Sequence, residues 1–188
     1  MPAEITTYLH FNNDPVMLPN TAPDTAEGDK LQDFIDKYQD VYLKSFFGVP
    51  LAALLDAGIG DGSIYDAIKN GGNYTDMQNI TQRWEGFTAG KNPIANFIYS
   101  NYQRSNVTST LGIGVRKPKA DNADDASPIM KMVDAWNEMV TYNWKLHGYL
   151  VANRASYPTY IGLTYPPELR YRNAPPNKEF FVTQNPYF

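Results

Sequence analysis

The chain has 188 residues, 43% of them apolar, which is enough for one domain with a sizeable core. It contains no cysteine, which excludes disulfides and thiolate metal sites, and its net charge of −4 argues against broad nucleic-acid binding. No apolar run is long enough to cross a bilayer, and residues 1–20 hold neither Lys nor Arg nor the apolar segment of a signal peptide. The 14 Tyr, 9 Phe and 3 Trp form a large aromatic share, which leaves open whether Tyr serves interfaces or is simply abundant.

Residues 1–28 are predicted to be an extended or irregular lead-in, with at most a short strand around Ile5–Phe11. Four prolines stand there among many Asn, Thr and Asp residues, which disfavours regular structure. Residues 1–29 carry five acidic and no basic residues, whereas residues 153–188 carry four basic and two acidic ones. The two ends can therefore attract each other within a subunit or between neighbours, or can simply be solvated.

The first helix is predicted over Asp29–Phe47, because apolar residues recur there at three- and four-residue spacing. Gly48 and Pro50 end it, since neither residue continues a helix well. Two short helices are predicted to follow, Pro50–Asp56 and Ile64–Lys69, each with glycines beyond its end.

Residues 73–90 fit two interpretations. Five apolar side chains lie about as a helix would space them: Tyr74, Met77, Ile80, Trp84 and Phe87. The segment Trp84–Phe87, however, equally suits a strand or a turn. We predict irregular structure or a short hairpin, with Trp84 packed in the core.

A helix over Asn92–Arg104 is predicted to be the central element. Asn92 suits the N-cap, and Pro93 occupies the first helical position, which does not use its amide. Four apolar residues share one face at helical spacing: Ile94, Phe97, Ile98 and Tyr102. This face needs partners, and the longer amphipathic segments on either side in the chain supply them.

Val107–Lys119 is predicted to be a loop or a short hairpin arm, because it combines β-branched residues, paired glycines and a late proline. Three basic residues make it a candidate for docking on an acidic partner surface, with an exposed solvated loop as the equal alternative: Arg116, Lys117 and Lys119.

The longest helix is predicted from Pro128 to about Val151, after an acidic link over Asp121–Ser127, with Ser127 as N-cap. A heptad-like stripe runs along most of its length: Ile129, Met132, Trp136, Met139, Asn143, Leu146 and Leu150.

After Asn153, prolines alternate with aromatic residues, which prevents long helices and central strands. A disordered tail would not carry so many aromatics, so we predict an extended arm that docks its rings on a surface. The arm can wrap over its own domain or reach a neighbouring subunit, and we favour the neighbour. The candidate interface residues are Tyr157, Tyr160, Tyr165, Tyr171, Phe180, Phe181, Tyr187 and Phe188.

The supply of catalytic side chains is small. His10 lies in the lead-in, and His147 lies near the end of the long helix, where packing or capping is the expected role. Asp121, Asp124 and Asp125 lack the glycine and final glutamate of a calcium loop, and the G-x-G at 112–114 lacks a third glycine. We therefore predict no enzyme, no catalytic residue, no cofactor and no metal site.

Four blocks, in this order within residues 30–150, resemble the small helical head–tail connector proteins (adaptor or head-completion proteins) of tailed phages and prophages of Bacteroidetes. The blocks are Lys37–Leu51, Asn92–Tyr102, Thr108–Lys119 and Ser127–Met139. The arm after Asn153 falls outside this resemblance. The resemblance implies a structural virion protein that forms an oligomeric ring between portal and tail, assembled in the host cytoplasm and located at the head–tail interface of the virion.

The partners that the resemblance implies are further copies of the chain, the portal protein, and a tail or stopper protein. DNA is expected only as cargo passing through the lumen, and no membrane contact is expected. Two alternatives remain: a soluble helical binding module that uses the C-terminal aromatic arm, and another neck or tail component such as a stopper or tail terminator. The predicted class is mainly α, a small helical bundle with a short hairpin or loop arm and long extended ends, divided into 1–28, 29–152 and 153–188.

Overall fold

The computed structural model describes residues 5–13, 16–18, 22–58, 64–88, 90–107, 109–111, 114–116, 128–160, 172–173 and 182–183. Within these residues there are five α-helices, so the protein is mainly α, as predicted. They are α1 (Ala26–Phe47), α2 (Val49–Gly58), α3 (Ile64–Asn70), α4 (Pro93–Val107) and α5 (Pro128–Ala152). The predicted helices are all present, with ends that differ by a few residues.

The strands of the described residues form three separate antiparallel pairs. They are β1 (Gly72–Thr75) with β2 (Thr81–Trp84), β3 (Ser109–Leu111) with β4 (Gly114–Arg116), and β5 (Arg172–Asn173) with β6 (Val182–Thr183). The first pair confirms a hairpin within 73–90, and the second lies inside the predicted hairpin arm of 107–119. The acidic link and its capping Ser127 lie outside the described residues.

Helix α4 is central, because it packs against α5 on one side and α1 on the other. The Asn92 side-chain oxygen accepts hydrogen bonds from the backbone amides of Ile94 at 2.9 Å and Ala95 at 3.4 Å, which confirms the predicted N-cap. The apolar side chains of α4 that are almost fully buried are Ile94, Ala95, Phe97, Ile98, Tyr99 and Tyr102. The helix is therefore enclosed by the core rather than laid on its surface.

Helix α5 turns the predicted heptad-like stripe toward the core. The buried members are Met132, Trp136, Met139, Asn143, Leu146 and Leu150. Asn143 is the polar member; its side-chain oxygen accepts a hydrogen bond from the Tyr42 hydroxyl of α1. Its Nδ2 atom is buried without a hydrogen-bond partner in the part of the chain that the structure describes. This hydrogen bond is a directional contact between α1 and α5 inside a largely apolar core.

The described part of the lead-in is irregular apart from one short 3₁₀ turn, as the prediction of an extended or irregular segment allows, and it is anchored in the core. A 3₁₀ turn occupies Tyr8–Phe11, and the Thr6 amide donates to the Gln39 side chain of α1 at 2.9 Å. The Thr6 hydroxyl accepts from the Asn92 side chain at 3.1 Å. Four apolar residues of the lead-in are buried, whereas Leu9 and Met17 are exposed; the buried ones are Ile5, Phe11, Val16 and Leu18. Prolines exclude regular structure here, but they do not prevent side chains from being anchored in the core.

Candidate protein-contact surfaces

The β1–β2 hairpin is fixed to the body at its base. Gly71 and Gly86 face each other there with φ of +85° and +80°. A Cβ at Gly71 would lie 2.3 Å from the Trp84 carbonyl oxygen, and a Cβ at Gly86 would lie 2.3 Å from the Lys69 carbonyl oxygen. The two chain segments pass so close to each other that only glycine fits at these positions. Both the positive φ and the backbone contact exclude a side chain. The base is therefore rigid.

Trp84 and Tyr74 hold the hairpin against the helices. Trp84 is fully buried and donates its indole N–H to the Ile68 carbonyl at 2.7 Å. Tyr74 lies over Gly148 of α5, where an added Cβ would come within 2.7 Å of the Tyr74 hydroxyl oxygen. The Tyr74 and Tyr149 rings meet edge to face with centroids 6.1 Å apart. Gly148 thus allows the Tyr74 ring to pack closely on α5. This packing explains the presence of glycine inside a helix, where it is otherwise destabilising.

The far end of the hairpin, residues Asp76–Ile80 and here called the tip, is held by bonds within itself. The Asp76 Oδ1 atom accepts from the backbone amides of Gln78 and Ile80, each at 2.9 Å. The hydrogen bond from the Ile80 amide is the largest cause that lowers the pKa of Asp76 below its usual range. Asn79 takes φ of +60°, a turn conformation that asparagine tolerates.

The tip presents its apolar side chains outward. Met77 is 95% exposed and Ile80 is 51% exposed. A helix over 73–90 would have placed both residues on its buried face. The hairpin instead leaves both exposed. The hydrogen bonds within the turn therefore fix the backbone from which these side chains project.

A second exposed apolar surface lies on α2. Four residues at i, i+1, i+4 and i+5 share its outer side, and they are called here the α2 outer face: Val49, Pro50, Ala53 and Leu54. Val49 is 64% exposed and Leu54 is 38% exposed. From Ser45 to Leu55 the chain holds no charged residue. Contiguous exposed apolar surface of this kind marks contact sites on globular proteins.

Tyr157 and Tyr160 are core residues, which corrects their assignment to an intermolecular interface. They are 2% and 3% exposed. The Tyr157 hydroxyl donates to the Ile64 carbonyl of α3 at 2.8 Å, and the Tyr160 ring stacks on Phe46 of α1 with centroids 6.4 Å apart. Because these rings are sealed inside their own chain, residues 153–160 fasten the helices together rather than reach a neighbour.

His147 has the packing role expected of it. Its Nδ1 atom lies 2.9 Å from the Tyr160 hydroxyl oxygen, and its ring meets the exposed Trp144 edge to face. Burial lowers the pKa of His147 because the charged ring loses its hydration. Burial likewise raises the pKa of Tyr160. Both groups are neutral near pH 7 and form a structural pair.

The remaining predicted interface residues are not brought together in the described structure. Arg116 is the last residue of β4, and its side chain lies outside the description. The others lie outside the described residues altogether: Lys117, Lys119, Tyr165, Tyr171, Phe180, Phe181, Tyr187 and Phe188. Beyond Tyr160, β5 lies against α5 of the same chain.

The charged groups near α5 are paired with one another. Burial raises the pKa of Glu85, but the hydrogen bond and charge of Lys145 at 3.0 Å, the charge of Lys91 and a backbone hydrogen bond together leave the pKa lowered. Lys91 adds a second contact to Glu85 at 3.6 Å. The Tyr142 hydroxyl donates to Glu138 at 3.0 Å. These pairs connect the loop before α4 and the end of the hairpin to α5.

Across the described ranges, no group of three or more His, Asp or Glu residues is placed to hold a metal ion. None of the helices described combines the length and the apolar character that a bilayer crossing needs. Comparisons of the chain with protein-family models, with curated proteins and with solved structures found no match. The exposed tip and the α2 outer face are the candidate contact surfaces considered below.

Proposed function

We propose that this chain is a non-enzymatic structural protein of a tailed-phage head–tail connector, an adaptor that forms an oligomeric ring between portal and tail. The resemblance of four sequence blocks to that family supports the proposal. The structural observation that carries it is the β1–β2 tip, where a fixed turn holds Met77 95% exposed. An ordered protrusion with an apolar end is suited to contact with another protein chain.

The presence of unlike exposed apolar surfaces on one chain is compatible with cyclic assembly. The tip and the α2 outer face are different surfaces of one chain, on different elements. Contacts that join unlike surfaces are heterologous, and they close into rings when the rotation between subunits permits. A protein that uses one self-complementary patch would instead form a two-fold dimer.

The partners under this proposal are further copies of the chain, the portal protein, and a tail or stopper protein, with DNA only passing through the lumen. The virion is the expected location, after assembly in the host cytoplasm. The mainly helical body disfavours a stopper or tail terminator, which are commonly β-rich. A binding module that uses Tyr157 or Tyr160 is disfavoured, because both side chains belong to the core.

The test is the mass of the purified protein over a range of concentrations, by native mass spectrometry and negative-stain imaging. We expect a ring of one stoichiometry that forms as concentration rises. A variant that ends after Tyr160 keeps the buried aromatic residues and isolates the effect of residues 161–188. A single monomeric mass at every concentration, with and without those residues, would contradict self-assembly.

A further inference from the structure

We infer that Asn70 is the site of a slow covalent change in this protein, the deamidation of its side chain, and that the base of the β1–β2 hairpin controls the rate. Asn70 is the last residue of α3, and Gly71 follows it at the hairpin base. In the full sequence, Asn70 is the only asparagine that is followed by glycine. The reaction needs no partner molecule, so it is independent of the proposed ring.

The reaction starts at the backbone nitrogen of Gly71. This nitrogen loses its proton and attacks the side-chain carbonyl carbon, Cγ, of Asn70. The new N–Cγ bond closes a cyclic imide, and the Cγ–Nδ2 bond breaks to release ammonia. Water, the co-reactant, then opens the imide at either carbonyl and gives aspartate or isoaspartate, with no change of oxidation state. Glycine favours the attack because it has no side chain to crowd the approach.

The Asn70 side chain is open to the reaction, but the attacking nitrogen is engaged. Asn70 is exposed, so water reaches its side chain and ammonia can leave. The Gly71 amide donates to the Ala67 carbonyl at 2.9 Å, in the four-residue pattern of the helix. The nitrogen has to give up this hydrogen bond before it can attack. The end of α3 therefore slows the reaction.

The hairpin base also prevents Gly71 from turning. An added Cβ on Gly71 would lie 2.3 Å from the Trp84 carbonyl oxygen, which shows how close the opposite backbone is. The last turn of α3 is bonded to that segment twice. The Phe87 amide donates to the Lys69 carbonyl at 2.8 Å, and the Trp84 indole donates to the Ile68 carbonyl at 2.7 Å. Rotation of the Gly71 peptide into position for attack therefore requires the base to open.

The product keeps a record of that opening. Isoaspartate carries the main chain through its side chain, which lengthens the backbone by one methylene group. Gly72, two residues after Asn70, pairs with Trp84 at the start of the hairpin. Gly71 has no spare room against the opposite backbone. The longer backbone cannot restore this contact and the strand register together, so a hairpin that has opened and reacted does not close in its original form.

The experiment incubates the full chain in mildly alkaline buffer and follows Asn70 by peptide mapping with mass spectrometry, which separates the asparagine, aspartate and isoaspartate peptides. Gly86→Ala loosens the base, whereas the control Gly90→Ala has a similar φ and no atom within 4 Å of the added Cβ. Because the reaction follows the open fraction, Gly86→Ala should react at least about tenfold faster than the wild type. Gly90→Ala should stay within about threefold of the wild type.

Two further measurements complete the test. The wild type unfolded in urea, which has no hairpin base, should react at least about tenfold faster than the folded wild type. Trp84→Phe removes the indole hydrogen bond to Ile68 but keeps a ring in the core, so it serves as the loosened variant if circular dichroism shows Gly86→Ala to be unfolded. It should react faster than the wild type.

The outcomes address the site and its control separately. Equal rates for the folded and the urea-unfolded wild type would overturn control by the hairpin base, and so would a folded, loosened variant that reacts at the wild-type rate. A different asparagine that reacts before Asn70 in the loosened variant would overturn the assignment of the site. Neither result bears on whether the chain forms a ring.

Discussion

Residues 153–160 and the β1–β2 tip are two extensions of the same helical body that use their apolar side chains in opposite ways. In the first, the hydroxyl groups of Tyr157 and Tyr160 bond to α3 and α5, and both rings are buried. In the second, Asp76 bonds within its own turn, and Met77 is left almost fully exposed. An extension that bonds to the body strengthens the body, and one that bonds to itself presents a surface.

The contrast between the two extensions predicts that they contribute very differently to the free energy of unfolding. We expect Tyr160→Ala to lower the free energy of unfolding by about 3–5 kcal/mol, because it empties a buried aromatic site against Phe46. Met77→Ala should change it by less than about 0.5 kcal/mol, because the side chain has almost no contacts to lose. Urea unfolding followed by circular dichroism measures both, and comparable losses would contradict the distinction.

The rigidity of the hairpin base can be tested with two glycines of nearly equal φ. Gly86 has φ of +80° and a Cβ there would strike backbone, whereas Gly90 has φ of +79° and no atom within 4 Å. We expect Gly86→Ala to cost about 3 kcal/mol or more, and Gly90→Ala about 1 kcal/mol from the dihedral alone. Thermal unfolding of the pair gives the comparison. Similar unfolding midpoints for the two variants would mean that the backbone segments at the hairpin base are not in close contact.

The core on which residues 153–160 pack contains one buried polar contact, between Tyr42 and Asn143. Asn143→Leu removes the acceptor of the Tyr42 hydroxyl and should cost about 1–3 kcal/mol. In a Tyr42→Phe background the same change should cost less, because the hydroxyl that donates to Asn143 is no longer present. A double-mutant cycle by urea unfolding measures the coupling. Additive losses would show that the two side chains do not act as a pair.

The smallest predicted effect is a pH dependence of the free energy of unfolding, which comes from His147 on α5. Burial holds the pKa of His147 below its unfolded value of about 6.5, so the folded state binds its proton less readily. This contribution to stability is fully present above pH 6.5 and is lost as pH falls through the depressed folded pKa. Unfolding free energies between pH 7.5 and 5 should therefore decline less in His147→Gln than in the wild type. Parallel slopes for the two proteins would assign the decline to other groups.

Structure could be predicted from the sequence where it depends on residues that are close together in the chain. Helix α4 could be predicted because its cap, Asn92, and its apolar spacing are local signals. The buried lead-in could not, because Thr6 finds Gln39 33 residues away. Tyr157 was assigned to an interface from its residue type, but its partner Ile64 lies 93 residues earlier. For the candidate site, spacing alone could not separate a helix from a hairpin, and that choice decides whether Met77 is core or surface.

The most direct test compares the native masses of the wild type and Met77→Asp at matched concentrations, with urea unfolding to show that both are folded. The account predicts a ring for the wild type and, for the variant, a concentration of half-assembly raised about tenfold or more with unchanged stability. Gln78→Asp, beside Met77 on the exposed tip, is the control for added charge. Assembly of Met77→Asp at the wild-type concentration, or a wild type that stays monomeric throughout, would contradict the claim that the tip joins subunits.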